Sequence, residues 1–344
     1  MHQNRLEKAS KLLRNWDVSA LLIEDPIDIY YFTGKKMSFG KLILEENGGI
    51  LYTDARYYAA IAKNLPVALK LYKKQEFLSD LGKKRRLGFD AEKASYADYE
   101  RWKQATKDLL PIYSPLRDLR AIKDASEIAA IKRACHLTKQ GYHLLQKHAK
   151  TGISEKSLAR SFEEYIVKEG AVAPSFPPNV SFGANAAHPH HHPSDTPLRE
   201  NSPILVDIGA NVAGYCADMT RVFFHGTPCK ETVRIYRLVQ DAYHKAASYC
   251  KEGALASDLD QAAREELAKS SMSEFFTHSL GHGVGLEIHE YPSIRSKGDV
   301  EDPILLAGMV ITIEPGIYLP GNIGARYENT LLVTKHGHEN LLAS

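Results

Sequence analysis

Four carboxylates interrupt runs of residues that otherwise read as buried strands. Asp207 lies in Ile204-Leu-Val-Asp-Ile-Gly209 and Asp218 in Tyr215-Cys-Ala-Asp-Met-Thr-Arg-Val-Phe-Phe224, with Gly209 to Gly214 expected to turn the chain between them. Opposed residues of a hairpin are near neighbours on one face, so the two acids meet if both point the same way. Glu314 in Met309-Val-Ile-Thr-Ile-Glu-Pro-Gly316 and Glu328 in Ala325-Arg-Tyr-Glu-Asn-Thr-Leu-Leu-Val333 repeat the pattern in a second hairpin. Unpaired carboxylates are very unfavourable to bury, so a cation must accompany them. Arg326, two residues before Glu328 on the same strand face, neutralises at most one of the four.

Two histidine-rich stretches accompany the acids. Thr277 to Glu290 contains His278, His282 and His289 among glycines, which let the backbone approach a site closely. Asn185 to Pro193 contains His188, His190, His191 and His192. Any one of these residues has an ordinary reading, as polar surface or a satisfied core group, but that reading must hold for all of them together. Four carboxylates and one imidazole form an oxygen-rich set suited to two divalent ions, with Mn²⁺ favoured and Co²⁺ or Zn²⁺ as alternatives. Such a pair generates a nucleophile from water at neutral pH and stabilises the tetrahedral intermediate of hydrolysis. Neither Gly-x-Ser-x-Gly nor His-Glu-x-x-His occurs, which sets aside those serine-hydrolase and single-zinc signatures.

The elements that must hold these residues follow from periodicity. Apolar positions within Met1 to Asp17 predict an amphipathic helix, and short apolar runs at Ser19 to Ile23, Gly49 to Tyr52 and Arg86 to Phe89, with a helix near Arg56 to Asn64, predict a small α/β domain over residues 1–120. Pro111, Pro115 and the charged stretch Arg117 to Asp124 read as the connection to a second domain, 121–344. There, a capping box of Asp124 and Glu127 opens a long helix ending near Lys150. A second helix runs from Thr151-Gly-Ile-Ser154 to Gly170, and the first hairpin follows. The order repeats with a helix from about Glu231 to Lys251, a helix capped by Ser257, and the second hairpin, which predicts two similar halves facing one another across a site.

Composition narrows the function classes. Lys and Arg number 44 against 42 Asp and Glu, so no global charge favours nucleic acid or an anionic membrane. The first residues lack the apolar core of a secretory signal, and no run is long enough to span a bilayer, so a cytoplasmic location is expected. The four cysteines, Cys135, Cys216, Cys229 and Cys250, are too few and too scattered for a disulfide framework and are expected reduced.

The two hairpins, the His-x-x-Gly-His motif, Glu-Pro-Gly and Arg-x-Glu resemble the pita-bread metallopeptidases, the family of methionine aminopeptidase, aminopeptidase P and prolidase. The resemblance spans about residues 124–344, and residues 1–120 look like the smaller N-terminal domain of the prolidase, aminopeptidase P and creatinase branch. It implies an α+β chain whose C-terminal pita-bread fold has two helix-helix-hairpin halves. It further implies Asp207, Asp218, His282, Glu314 and Glu328 as metal ligands, with Asp218 and Glu328 bridging. His190 matches the family's substrate-side histidine, His278 and His289 the pair at the scissile peptide, and Tyr318 a wall of the pocket. Thr220 and Arg326 match supports of the ligands and Arg326 borders the substrate, while Asn329 stands where Asp is common.

The implied reaction is attack on the scissile carbonyl by a hydroxide bridging two metal ions, with Glu314 as general base and His190 and His289 as hydrogen-bonding catalytic residues. The expected substrates are peptides with proline second, cleaved after the first residue. Prolidase-type cleavage of Xaa-Pro dipeptides is the alternative, and a homodimer is expected. A metal-free creatinase-like enzyme would not need all five ligands. A non-catalytic relative would be expected to have lost several, and methionine aminopeptidase lacks the N-terminal domain.

Overall fold

The computed structural model describes residues 2–298 and 301–343. The chain divides into two units, Met1–Arg120 and Ala121–Ser344. In the first, α1 (His2–Asn15) buries Leu6, Ala9 and Leu13, the stripe its periodicity predicts. β1 (Ala20–Ile23) is buried at all four residues, as a strand covered on both faces must be. It is followed by α2 (Pro26–Thr33), β2 (Lys41–Glu45), β3 (Gly48–Thr53), α3 (Ala55–Ile61), β4 (Ala68–Leu71), α4 (Lys74–Gly82), β5 (Leu87–Asp90), α5 (Tyr96–Ala105), β6 (Leu109–Ile112) and the short α6 (Arg117–Ala121). The strands form one sheet in the order β4-β3-β2-β1-β5-β6, antiparallel through β1, β2 and β3 and parallel at both flanks. Pro111, read from sequence as linker, sits in β6 at the sheet edge, where a residue without an N–H is tolerated.

The second unit opens with α7 (Ala125–His148), whose N-terminus carries the expected capping box of Asp124 and Glu127. α8 (Glu155–Lys168) follows, capped by the Ser154 hydroxyl. Then come β7 (Ala173–Pro174), β8 (Asn179–Phe182), a 3₁₀ turn at Gly183–Ala187, β9 (Ser202–Ile208), β10 (Ala210–Val212), β11 (Tyr215–Cys216) and β12 (Met219–His225). β9 lies between β8 and β12. The segment Gly209 to Gly214, expected to be only a turn, contains β10, which pairs with β7 and β11. The chain reverses at Ala213 and Gly214, both with positive φ.

The second half repeats this order with α9 (Lys230–Ala247), α10 (Ala256–Ala268), β13 (Gly281–Gly283), β14 (Glu290–Ile294), β15 (Val310–Ile313), β16 (Gly316–Leu319), β17 (Ile323–Arg326), β18 (Asn329–Thr334) and β19 (Gly337–Asn340). Its sheet runs β14-β13-β15-β18-β19, with β16 and β17 as a separate hairpin between β15 and β18. Ser257 does not cap α10 as the sequence suggests; it lies in the first turn, and its N–H and hydroxyl are taken by Asp302.

The internal repeat is visible at the level of single hydrogen bonds. The N–H of Gly152 donates to Leu198 O and that of Leu198 to Ile153 O, while in the other half Gly253 donates to Leu305 O and Leu305 to Ala254 O. The core of the second half is built from Ile235, Val239, Ala242, Tyr243 and Ala246 of α9, Leu259 and Ala263 of α10, and Ile311, Ile313 and Leu331 of the sheet. Spacings of three and four along α9 supply the apolar stripe.

Candidate active site

The register of β9 on β12 places Asp207 opposite Thr220, and Asp218 precedes Thr220 by two residues, so the three side chains share one face. In the second half β15 pairs with β18 through Ile313 and Asn329, which leaves Glu314 and Glu328 just beyond the paired residues. The two halves are joined here. Glu328 N donates to Thr220 O, and Thr330 Oγ1 donates to Asp218 O at 2.8 Å while lying 3.3 Å from Asp218 N. Four acids from four strand ends therefore converge at the foot of one cavity.

His282 enters from β13, where a bulge between His282 and Gly283 re-aims the strand. Gly281 beside it is a close approach: a Cβ there would lie 2.1 Å from Thr312 O. The His282 Nδ1 is 3.1 Å from the Gly283 carbonyl, which can only accept, so Nδ1 carries the proton. Its free Nε2 then faces Glu314 Oε1 at 3.4 Å and Asp218 Oδ2 at 3.6 Å. Burial, and then the charge of His289, lowers the His282 pKa to about 4, so the ring is neutral near pH 7.

The electrostatics of the acids ask for more positive charge than the protein supplies. Burial and then the neighbouring acids raise the pKa of Asp218 and Glu314 well above the usual carboxylate range, and Glu328 is pushed up to about 8. Arg326 is buried and fully engaged: Nε donates to Thr220 Oγ1 at 2.9 Å, Nη1 to the Tyr318 hydroxyl at 2.7 Å and Nη2 to Asp207. Even so, Asp207 Oδ1, Asp218 Oδ1 and Glu328 Oε1 are buried with no hydrogen-bond partner. Asp218, His282 and Glu328 each bring a potential ligand atom within 4.8 Å of the other two. Orphaned carboxylate oxygens beside a neutral imidazole nitrogen are a donor set that a divalent cation would satisfy, so these residues fit a metal.

The cavity above them, about 500 Å³, is lined by His190, His278, His282 and His289 and by Phe176, Pro177, Ile288 and Ser293. His278 Nδ1 lies 2.8 Å from Ser279 O and so bears its proton, which leaves Nε2 to accept from the Tyr318 hydroxyl at 2.9 Å. Burial, then the charge of Arg326, lowers the His278 pKa to about 4. The rings of His282 and His289 meet edge to face, centroids 4.3 Å apart. Burial also lowers the pKa of His289. Asn329, beside Glu328, accepts from Arg221 at 2.6 Å, and Arg221 also donates to the Glu328 carbonyl. The four acids, His190, His278, His282, His289, Tyr318 and Arg326 thus lie in or beside one site, whereas His188 is exposed and outside the lining.

Residues 129–335 match Metallopeptidase family M24 and residues 5–122 match the Creatinase/Prolidase N-terminal domain. The chain belongs to metallopeptidase family M24. Among its relatives in that family, an Xaa-Pro dipeptidase of Pyrococcus furiosus is 33% identical, the alignment covering 98% of this chain and 97% of the relative. An Xaa-Pro dipeptidase from Bacillus anthracis shares the fold with a TM-score of 0.94 at 27% identity, covering 100% and 98% of the two chains. An X-Pro aminopeptidase from Thermotoga maritima superposes with a TM-score of 0.89 at 31% identity, covering 97% and 98%. The α+β architecture is therefore the pita-bread fold of the M24 enzymes behind a creatinase-type N-terminal domain, as the motifs imply, and the chain is a metallopeptidase.

Three residues around the M24 site are not signalled by the sequence. Glu155 reads as an ordinary first-turn acid, yet it is fully buried and holds the loop that carries His190. Asp260 and Arg264 read as a surface pair one helical turn apart. In the fold Asp260 is fully buried and accepts from Leu280 N, while Arg264 donates to the carbonyls of Phe276 and His278.

Proposed function

We propose that this enzyme removes the N-terminal residue from peptides whose second residue is proline, and that Asp207, Asp218, His282, Glu314 and Glu328 hold two divalent ions, Mn²⁺ in first place and Co²⁺ or Zn²⁺ otherwise. The observation that carries the reading is the set of three orphaned carboxylate oxygens, on Asp207, Asp218 and Glu328, in a cluster where Asp218 and Glu328 also group with the neutral His282. When bound there, the ions supply a nucleophile from water at neutral pH and polarise the scissile carbonyl.

The chain's own groups account for the remaining steps. Glu314, whose proton affinity is raised by burial and then by Glu328, is suited to accept a proton and return it to the leaving nitrogen. His190 and His289 line the cavity and are placed to hydrogen-bond the developing oxyanion. His278 lines the cavity and is held in place by the buried Tyr318 hydroxyl, which does not itself reach the lining.

A bond to proline offers no N–H, so the site has to recognise ring shape, and the His278 and His289 rings in the cavity lining supply a surface for it. The names of the relatives, Xaa-Pro dipeptidases and an X-Pro aminopeptidase, support proline at the second position. A second reading, in which the dipeptide itself is the substrate, is favoured by the relatives named Xaa-Pro dipeptidase. No helix among the described residues is long and apolar enough to cross a membrane, and the free, buried thiols of Cys135, Cys216 and Cys250 suit a reducing cytoplasm.

Digestion of a peptide library, read by mass spectrometry with Xaa-Pro dipeptides alongside, tests the proposal. Loss of one N-terminal residue wherever proline is second is the expected pattern. Removal of N-terminal methionine ahead of alanine or glycine, with proline ignored, would overturn the substrate while leaving the metal chemistry in place.

A further inference from the structure

The first half buries a carboxylate that the proposed reaction does not use. Glu155, the first residue of α8, has no exposed surface. Its Oε1 accepts from Phe182 N at 2.7 Å and Asn185 Nδ2 at 2.9 Å. Its Oε2 accepts from His191 Nε2 at 2.8 Å, Ser194 N at 2.9 Å and Ser194 Oγ at 2.7 Å. All five donors belong to the segment 182–194, which carries His190 to the cavity wall. Burial pushes the Glu155 pKa up, but these hydrogen bonds outweigh it and hold the group below the usual range.

The repeat shows that the backbone frame alone does not require an acid here. Glu155 N donates to Thr196 O, and in the other half Ala256 N donates to Pro303 O from the equivalent place. The half with alanine at that place holds its own histidine-bearing stretch, 278–289, through a different buried acid, Asp260, which accepts from Leu280 N. The clamp also sorts the neighbouring histidines: His191 is committed to Glu155 and His188 is exposed and outside the lining, while His190 and His192 face the cavity.

We propose that Glu155 is a positioning residue for the reaction proposed above, on which this inference rests, acting through the 182–194 loop to hold His190 over the acid cluster. Replacement by Gln keeps the shape but turns one acceptor oxygen into a donor, which must then face either Phe182 and Asn185 or His191 and Ser194.

The test uses the full-length, metal-loaded enzyme as wild type, Glu155→Gln, His190→Ala and the double variant. Amide exchange in 182–194 is expected to rise by about tenfold or more in Glu155→Gln, with exchange in the remainder of α8 and the metal content unchanged. On an Xaa-Pro-Xaa peptide kcat should fall by roughly tenfold or more while KM stays within about twofold. In the His190→Ala background the Glu155→Gln change should alter kcat by less than about twofold, because both act through one group. Independent, multiplying losses, or an unaltered exchange rate in the loop, would overturn the proposal. If Glu155→Gln does not fold, His191→Leu and His191→Gln take its place: Leu should slow turnover and Gln, which keeps an N–H at similar reach, should restore most of it, and equal behaviour of the two would overturn the clamp. A wild-type enzyme that cuts no Xaa-Pro peptide would refute the substrate reading instead, and the exchange result together with the same cycle on the peptide it does cut would still decide the role of Glu155.

Discussion

The hydroxyl of Thr220 donates to Glu328 Oε2 at 2.7 Å and accepts from Arg326 Nε at 2.9 Å. One buried side chain thus links an acid of the cluster to the guanidinium of Arg326, across the junction of the two halves. The hydroxyl has one proton to give, and the guanidinium cannot accept it, so the orientation of the Glu328 carboxylate is fixed.

Thr220→Val keeps the shape and removes both bonds, leaving Glu328 Oε2 and Arg326 Nε buried without this partner. Loss of an outer hydrogen bond to a ligating carboxylate typically weakens metal affinity by about 10–100-fold. Metal titration of the chelated protein should show that loss for Thr220→Val and near-complete recovery for Thr220→Ser. Equal affinity in the valine variant would detach Thr220 from the metal site.

Tyr318→Phe removes the acceptor of Arg326 Nη1 and the donor to His278 Nε2 in one step. Since Tyr318 is not among the proposed ligands, metal content should be unchanged while kcat on an Xaa-Pro peptide falls by roughly 10-fold or more. Loss of metal in this variant would make Tyr318 part of the metal site itself.

Stability without metal should depend on pH in a definite direction. In the metal-free protein, burial and then the charge of Asp207 hold the Glu328 pKa at about 8, against an ordinary 4.5. A folded pKa above the unfolded one means that folding favours the protonated form. The contribution is therefore fully present below the ordinary value and is lost as pH rises through the folded one. The Tm of chelated protein is expected to fall between about pH 6.5 and pH 8.5, above the range in which His278 and His282, lowered by burial to about 4 from an ordinary 6.5, work in the opposite direction, and saturating metal should remove the decline because it binds the carboxylates. A chelated protein whose Tm rises over that interval would contradict a buried cluster of like charges.

Local signals were the ones legible in the sequence. The capping box at Asp124 and Glu127, the helix start at Thr151 to Ser154 and the strand around Asp207 all depend on neighbours within a few residues, and each formed as read. Ser257 failed as a cap because Asp302, 45 residues away, takes its N–H and hydroxyl. The supports of the site were hidden for the same reason. Glu155 meets donors 27 to 39 residues downstream, and Thr330 meets Asp218 at a separation of 112. Nothing in the local pattern distinguishes such residues from solvated polar positions. In the N-terminal unit, β2, β4 and β6 went unread, β4 because four partly exposed residues are too short a run to stand out and β6 because Pro111 reads as linker.

Metal titration with activity as the readout tests the central claim most directly. Chelated wild-type enzyme and Asp218→Asn are titrated with Mn²⁺ while release of the N-terminal residue from an Xaa-Pro-Xaa peptide is followed. Wild type is expected to be inactive without metal and to reach its plateau at about two equivalents, as a two-ion site requires. Asp218→Asn, folded and in its metal-free form more heat-stable for want of one buried charge, is expected to bind less metal and remain inactive. Full turnover by the chelated wild type, or by metal-replete Asp218→Asn, would contradict the assignment of the acid cluster as the catalytic metal centre.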